Sequence, residues 1–422
     1  GLQSDTYNLA DDAGAFGALN NDVFLSSAFN RSTDLRVQTD VEYTLTKKLN
    51  LTGIGRLKQQ RFLYDDERGD QSYYDAFRND TSLSRVRDSN KVFIWSTGAR
   101  ASYVIAQDAS KSQKVHLTFL HHAIRYRSME ATQFTTNTTV SAQFLSVGTS
   151  TSLDVLGRAV IAGYNAGDIQ LKGVLNHALS NVPAADSMPS VAGKWSAKFK
   201  LAAQRYEPYV IYSRYRSSYL NWTSDLTKTT AVDMAGGLVR SAAKGGAEFR
   251  LTSQWRDGLV YLNEDLEVTQ SLTNIALVGV EVQGDLAAKG FELAGIARYQ
   301  LNVLSKVYDL PMISASGEFS YAFPMFNKSI YIQAGAGASY FSDYRARAYA
   351  PFMDVYYLQR NARFGNYLQL DPFMRASVQS VDVTLRLING AYGLFGSQAM
   401  IAPGYPTVPR FLEIRIDWVF KN

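Results

Sequence analysis

Apolar and polar residues alternate strictly over many short stretches of the chain. Between residues 35 and 45, Leu, Val, Thr and Tyr occupy the odd positions, and charged or polar residues occupy the even ones. The same period of two recurs at residues 93–105, 195–201, 291–303, 381–387 and 412–420. Side chains of a strand alternate between two faces, whereas a helix repeats about every 3.6 residues. The pattern therefore predicts half-apolar β-strands.

The connections between these segments indicate which kind of sheet they form. Short turns are predicted at residues 47–50, 165–168, 242–245, 285–290 and 324–328. Long polar stretches lie at residues 65–90, 128–150, 180–191, 218–230, 342–366 and 390–410. Short and long connections that alternate along the chain are typical of a barrel embedded in a membrane, which has tight periplasmic turns and longer outer loops. A soluble sandwich has no reason for this asymmetry.

We therefore predict an all-β protein, namely a closed antiparallel transmembrane β-barrel of about 18 strands, with 16 as the alternative. The alternating segments supply about 17 strands from Asp34 onward, and a weaker strand at Asp22–Asn30 makes the number even. Residues 1–20 are expected to be irregular, in the lumen or the periplasm, and residues 21–422 to form the barrel. Barrels of 16 to 18 strands leave an aqueous channel.

The composition agrees with a barrel and excludes other classes. Hydrophobic residues make up 46% of the 422 residues and aromatic residues 13%, as expected where lipid-facing and lumen-facing positions alternate. No stretch approaches 18 uninterrupted apolar residues, so no transmembrane helix is predicted. The absence of cysteine excludes disulfides, thiol catalysis and thiolate metal sites. The sequence opens at Gly1 without a signal peptide, and we expect that an export signal has been removed.

Charged residues that alternate with the apolar rows are the main functional candidates. They should face the lumen, because Arg or Lys on the lipid face costs about 2–4 kcal/mol at mid-bilayer. The candidate lumen-lining residues are Arg36, Asp40, Glu42, Arg100, Lys198, Lys200, Arg214, Arg216, Glu292, Arg298, Asp382, Arg386, Glu413, Arg415 and Asp417. Two interpretations stay open. The charges pair across strands and select nothing, or unpaired cations favour anionic solutes.

Catalytic, metal and nucleic-acid sites find little support in the sequence. The four histidines are His116, His121, His122 and His177, and the pair that shares a strand face lies too far apart for one metal. No Gly-x-Ser-x-Gly, His-Glu-x-x-His or phosphate-binding glycine loop occurs. The net charge of +5 is spread along the chain, without a basic run for nucleic acid. We expect no enzyme activity, no metal and no cofactor, although a rim enzyme could still assemble from residues distant in sequence.

Several motifs between about Ser150 and the C-terminus resemble those of a known family. The hairpin Gly163-Tyr164-Asn165-Ala166-Gly167-Asp168 resembles its aromatic-x-Ala-Gly-Asp turn. Residues 217–226 resemble its Ser-Asn-His-Phe-x-Trp pattern, although Ser218 and Tyr219 replace the Asn and His, whose role is not carried over. The remaining landmarks are Tyr349-Ala350-Pro351, Asp371-Pro372-Phe373 and Gly404-Tyr405-Pro406. By these motifs the chain is similar to the "putative porin" family of Bacteroidota.

The resemblance implies a multi-pass barrel in the outer membrane of a Gram-negative cell. It suggests passive diffusion of small hydrophilic solutes, with a mild preference for anions if the lumen cations are unpaired. The partners expected are outer-membrane lipid, lipopolysaccharide and the barrel assembly machinery, which would read the terminal residues Trp418 and Phe420. The alternative is a non-conducting barrel subunit of a larger outer-membrane assembly, or of a secretion or uptake complex, with further outer-membrane proteins as partners.

Overall fold

The fold is almost entirely β-sheet in the part of the chain that the structure, a computed structural model, describes. The described residues are 28–67, 85–108, 110–128, 132–179, 194–216, 220–242, 244–304, 307, 309–393, 400–402, 405–407 and 409–418. In chain order the elements are β1 (Ala28–Thr46), β2 (Leu49–Asp66), β3 (Val86–Gln107), β4 (Lys111–Arg127), β5 (Thr132–Gly148), β6 (Thr151–Gly163), β7 (Ile169–Ala178), β8 (Lys194–Tyr206), α1 (Val210–Ser213), β9 (Arg214–Arg216), β10 (Asn221–Thr223), β11 (Thr229–Ala242), β12 (Gly245–Asp257), β13 (Val260–Leu262), β14 (Val268–Gln270), β15 (Ile275–Ala288), β16 (Phe291–Asn302), β17 (Ile313–Met325), β18 (Ile330–Phe341), β19 (Ala348–Ala350), β20 (Val355–Tyr357), β21 (Tyr367–Val378), β22 (Val381–Ile388), β23 (Met400–Ala402), β24 (Tyr405–Pro406) and β25 (Phe411–Trp418).

One antiparallel sheet of 17 strands dominates the described residues. Each long strand pairs with the long strand before it and the one after it, so the sheet is a meander from β1 to β25. The short strands lie outside this sheet, and β13, β14, β19 and β20 form a small sheet of their own. Antiparallel meanders of this size form the walls of membrane barrels.

The described sheet has 17 strands instead of the expected 18, and the difference arises at the beginning of the chain. Residues Ala28–Asn30, which were assigned to a separate weaker strand, continue directly into β1. The rest of that strand and the irregular segment at residues 1–20 lie outside the described residues. Among the described residues, β1 and β25 each pair on one edge only, and both run from the same end of the sheet.

The connections divide between two ends of the sheet, here called the turn end and the loop end. At the turn end the chain passes from β1 to β2, β3 to β4, β5 to β6, β7 to β8, β11 to β12, β15 to β16, β17 to β18 and β21 to β22. At the loop end it passes from β2 to β3, β4 to β5, β6 to β7, β8 to β11, β12 to β15, β16 to β17, β18 to β21 and β22 to β25. One expected position is wrong, because the turn at 165–168 lies at the loop end. The expected long stretch at 180–191 lies outside the described residues.

The expected long loop at residues 128–150 is also wrong, since most of it is strand β5. Its composition misled the interpretation, because threonine, serine and glutamine crowd this stretch. Threonine is a strand former, however, and Thr136 lies on the same outer face as the exposed Phe134 and Val140. The polar residues of β5 therefore occur on both faces of a strand and do not form a loop.

The two faces of the sheet differ in chemistry as the alternation predicted. The outer face carries rows of exposed apolar side chains, among them Val41, Phe119, Phe199 and Ile414. The inner face carries the polar and charged rows. Such an apolar surface is compatible with lipid contact, because contiguous rows of exposed apolar side chains are unusual for a soluble protein.

Candidate functional site

Most of the charges predicted to line a lumen lie on the inner face. Residues directly opposite each other on neighbouring strands share a face, and the register places Arg36 opposite Lys58 and Arg298 opposite Glu281. The inner face holds Arg36, Asp40, Glu42, Arg100, Lys198, Lys200, Glu292, Arg298, Asp382, Arg386, Glu413, Arg415 and Asp417. Their role in lining a passage stays a prediction.

Arg214 and Arg216 do not lie on the sheet wall. Both belong to β9, a short strand in the connection between β8 and β11, where they are exposed and the intervening Tyr215 is buried. The alternation was interpreted correctly as a strand, but the apolar row of this strand faces the protein interior rather than lipid. A three-residue strand cannot show which solvent its apolar face meets.

On β12 to β25 the inner-face charges largely neutralise one another. The guanidinium of Arg250 contacts the Glu281 carboxylate at 2.7 Å, and Arg298 contacts the same carboxylate at 2.5 Å. Arg386 reaches Glu318 at 3.2 Å, further along the sheet. The first two pairs join adjacent strands, and the third joins β17 and β22, which are three apart in the sheet order. The interpretation of the charges as paired side chains therefore holds for this half of the sheet.

On β2 to β8 the inner face is basic and mostly lacks ion pairs. The cations here are Arg56, Lys58, Arg100, Lys114, Arg158, Lys172, Lys198 and Lys200, and Asp154 is a carboxylate among them. Among the described residues, none of these cations lies within 4.0 Å of a carboxylate oxygen. In this half the described cations are unpaired, and a preference for anionic solutes stays a prediction.

At the loop end, connections that are distant along the sheet meet in one buried group, here called the loop-end cluster. It consists of Phe62, Tyr64, Val86, Ile211, Tyr215, Leu262, Leu266, Ala350, Phe352 and Met353. These residues come from β2 and β3, from the connection between β8 and β11, from that between β12 and β15, and from that between β18 and β21. Since those strands are far apart in the sheet order, the loops cross the space in front of the inner face.

Aromatic and backbone contacts hold the loop-end cluster together. The rings of Tyr64 and Phe352 meet edge to face with centroids 6.4 Å apart, and those of Tyr215 and Trp222 stack at 4.7 Å. The backbone of Leu358 donates a hydrogen bond of 2.9 Å to the carbonyl of Leu262, which joins two of the loops. Phe352 is fully buried, so the cluster is a small hydrophobic core at the mouth of the sheet.

A buried carboxyl lies beneath this cluster. Asp88 on β3 has no solvent exposure, and its Oδ2 accepts a short hydrogen bond from the Tyr215 hydroxyl. Its Oδ1 has no hydrogen-bond partner among the described residues. Tyr64 lies directly opposite Asp88 on β2, so the carboxyl is enclosed by aromatic rings. Through this bond, a connection between β8 and β11 is tied to a strand on the other side of the sheet.

Burial raises the pKa of Asp88 to about 7, and the hydrogen bond from Tyr215 opposes this shift. Asp88 lies outside the membrane-spanning part of β3, because Arg87 and Lys91 flank it on the outer face and the apolar row begins only at Phe93. Burial also raises the pKa of the Tyr215 phenol well above its ordinary value, so this hydroxyl remains a donor. The bond is therefore sensitive to pH near neutrality.

The histidines bond to hydroxyls on neighbouring strands. Nδ1 of His122 lies 2.7 Å from Ser96 Oγ, and Nδ1 of His116 lies 2.7 Å from Ser102 Oγ. A hydrolase would need an acid on the other ring nitrogen, yet Nε2 of His122 is buried and has no hydrogen-bond partner in the described part of the chain. Within the described residues, no group of three or more His, Cys, Asp or Glu could hold a metal. The absence of enzyme activity stays a prediction.

Of the two C-terminal aromatic residues, Trp418 and Phe420, the structure describes only Trp418. Trp418 ends β25 and is exposed on the outer face, whereas Phe420 lies outside the described residues. A role of this ending in assembly stays a prediction. Among the described residues, no helix combines the length and the hydropathy that crossing a bilayer requires.

The sequence did not reveal the loop-end cluster or its carboxyl. Asp88 falls in a stretch interpreted as a loop, and only the fold brings it to Tyr215 across 127 positions of the chain. One signal was present, however. Two of the family-like motifs, around Trp222 and Ala350, pack in or against the cluster.

Comparison with known proteins identifies relatives of both sequence and fold. A family model described as "Putative porin" matches residues 4–422. No curated protein matches the chain.

Solved structures of similar fold include the siderophore receptor PirA from Acinetobacter baumannii, with 8% identity and a TM-score of 0.56 over 93% of this chain and 71% of that one. The FrpB iron transporter from Neisseria meningitidis has 10% identity and a TM-score of 0.58, over 93% of this chain and 63% of that one. The ferric-catecholate import receptor Fiu from E. coli K12 has 12% identity and a TM-score of 0.56, over 93% and 65%. At such identities the likeness concerns the fold alone, and the chain spans about two thirds of these receptors.

Proposed function

Because the chain belongs to the "Putative porin" family and its fold is that of an outer-membrane barrel, we propose that it is a channel for passive diffusion of small hydrophilic solutes. The observation that carries this proposal is the inner face, which is polar and charged along strand after strand while the outer face is apolar. Water on one side and lipid on the other explain both rows. The basic half of the inner face gives the channel a mild preference for anions.

The proposed channel requires that the sheet be closed, with 18 strands. Unpaired backbone groups in lipid cost several kcal/mol each, so the edges of β1 and β25 must be joined in the membrane. Both strands run in the same direction, and one antiparallel strand between them completes an even number. Direct pairing would instead be parallel and would leave 17. Cysteines introduced pairwise along β1 and β25 distinguish the two, because efficient disulfides between them would support direct pairing.

The loop-end cluster narrows the outer mouth of this channel. Because its residues come from loops on distant strands, a solute must pass beside the cluster or wait for it to open. We therefore expect a small conductance with transitions between open and closed levels. The basic inner wall lies below this constriction and is reached only by solutes that have passed it.

Planar-bilayer recording of the purified chain tests the proposal. We expect discrete conductance steps in KCl and a reversal potential in a KCl gradient that indicates a preference for Cl⁻. Proteoliposomes should also swell in small uncharged sugars and not in large ones. A folded preparation that neither conducts nor admits any sugar would refute passive diffusion.

The loop-end cluster also favours a second candidate, a non-conducting barrel that serves as a subunit of an outer-membrane assembly. In that case the cluster is a permanent closure, and the exposed parts of the loops are free to dock another protein. Extraction in mild detergent distinguishes the candidates. Recovery of a stable complex with a second outer-membrane protein, together with no conductance, would favour the subunit. Recovery of the barrel alone, with conductance, would favour the channel.

A further inference from the structure

A cavity of about 360 Å³ lies in the basic half of the inner face, on the wall formed by β2 to β6. Arg56, Lys58, Arg158 and His122 are among the residues that line it. The space is large enough for a hydrated ion rather than for one water molecule. The positively charged side chains of Arg56, Lys58 and Arg158 therefore converge on this cavity, here also called the chamber.

The sheet register explains why these donors meet. Arg56 lies opposite Ser96, Ser96 lies opposite His122, and His122 lies opposite Asn137. These four residues form one row across four neighbouring strands. Since strands lie roughly 4.8 Å apart, the row spans about 14 Å along the wall. No stretch of the sequence brings these residues together.

Three buried polar atoms in the cavity have no hydrogen-bond partner among the residues that the structure describes, namely Arg56 Nε, His122 Nε2 and Thr139 Oγ1. Thr139 is only 3% exposed, so its hydroxyl is effectively removed from bulk solvent. Ser96 occupies the other ring nitrogen of His122 at 2.7 Å, which orients Nε2 away from that strand. Buried polar groups without partners are uncommon and costly. Their convergence indicates a site built for a ligand that supplies acceptors.

The charge of the chamber is not balanced by protein carboxylates. Within the described part of the chain, no carboxylate oxygen lies within 4.0 Å of Arg56, Lys58 or Arg158. Asp168 lies at the edge of the cavity, but its carboxylate contacts Lys228 Nζ at 2.5 Å and also accepts from a backbone amide. Lys228 contacts Glu207 as well, at 3.1 Å. The chamber therefore keeps a net positive charge.

We propose that this cavity is a binding site for a small oxyanion, a phosphate or carboxylate group carried by a solute in the channel. The two guanidinium groups offer paired donors that match such oxygens, and the Thr139 hydroxyl and the His122 ring supply further bonds. The inference rests on the proposed channel function, which would deliver the solute. The cavity would then be a defined anion-binding site inside the channel.

Calorimetric titration of the full chain in detergent with inorganic phosphate tests the site without requiring conduction. We expect saturable binding to the wild type that Arg56→Gln and Arg158→Gln each weaken at least tenfold. Thr139→Val changes no charge and should weaken binding several-fold. Lys198→Gln removes an inner-face charge that does not line the cavity, and it should leave the phosphate affinity unchanged. The shift between cold and boiled samples on SDS gels confirms that each variant is folded.

The outcomes separate this inference from the proposed function. Phosphate binding that depends on Arg56 and Arg158 supports the site, even in a barrel that does not conduct. Conductance without measurable phosphate binding overturns the site and leaves the channel intact. Equal losses in Arg158→Gln and Lys198→Gln would also overturn it, because a diffuse positive potential would then explain the binding.

Discussion

Protonation of Asp88 should control how firmly the loops close the mouth of the sheet. The docked carboxyl has a pKa of about 7, and when the loop lifts and water reaches it the pKa returns toward its ordinary value of 3.8. Docking therefore gains from a protonated carboxyl. This contribution is fully present below about pH 3.8 and is lost as the pH rises through about 7. The effect has this sign because the docked state holds the proton more tightly.

The size of the effect follows from the two pKa values. Their difference of about 3 pH units corresponds to about 4 kcal/mol of docking free energy lost above pH 7. Between pH 5 and pH 7 the loss is about 2.3 kcal/mol, or roughly fifty-fold in the ratio of docked to released loops. The groups around the carboxyl are Tyr215 from β9, Tyr64 from β2 and Tyr126 from β4, whose ordinary titration lies above this range. They leave Asp88 as the group that changes charge.

Single-channel recording between pH 5 and pH 8 measures this equilibrium. The wild type should spend more time in its open level as the pH rises, with most of the change complete by pH 7. Asp88→Asn keeps the shape and stays neutral, so its open fraction should be low at every pH. Asp382→Asn is the matched control, because this carboxylate lies on the inner face near the turn end and has no contact with the cluster. An unchanged pH response in Asp88→Asn would refute the reasoning, and so would loss of the response in Asp382→Asn.

Three further substitutions probe the cluster, the outer face and one turn. Phe352→Ala should weaken loop docking by about 3–5 kcal/mol and raise the open fraction in the same recordings, whereas Phe326→Ala, at a side chain 70% exposed at the turn end, should change neither. Phe199→Arg places a charge on the lipid face and should lower the free energy of unfolding in liposomes by about 2–4 kcal/mol in urea titrations, while Lys200→Arg on the inner face should not. Gly163→Ala should lower the urea midpoint, because φ at Gly163 is +104° and a β-carbon there would lie 1.9 Å from the carbonyl oxygen of Thr136 on the neighbouring strand β5. An unchanged midpoint would contradict this.

The alternation predicted the sheet and its faces because it reports a local property. Whether Val41 or Asp40 meets lipid depends only on odd and even positions along one strand, and the register confirms that each row keeps to one face. The sequence also indicated most turns, among them those at Lys47 and Lys289, and a strand ends just before each of these residues. It failed where polarity had two causes. The threonines of β5 form a strand although their polarity is also typical of a loop, and the connection at 165–168 is short although it lies at the loop end.

The candidate sites could not be predicted, because they depend on register and on long-range closure. Arg56, His122 and Thr139 come from three strands and become neighbours only when the pairing is fixed. A slip of one residue in any pairing would turn one of them toward lipid. Asp88 meets Tyr215 only because the sheet curves far enough for a loop on one side to reach the other.

Inner-face charge is distributed unequally between the two halves of the sheet. Where Arg250 and Arg298 share Glu281, the charges satisfy one another, and the wall is polar but weakly attractive to any ion. Arg56 and Arg158 lack such partners among the described residues, so their positive charge is not compensated there. In the proposed channel, a solute that passes the loop-end cluster should therefore meet a wall that attracts anions on one side only. The mouth would then control when an anion enters, and the basic wall would control where it binds. Mutations at Asp88 should consequently alter open time without altering phosphate affinity, and mutations at Arg56 should do the reverse.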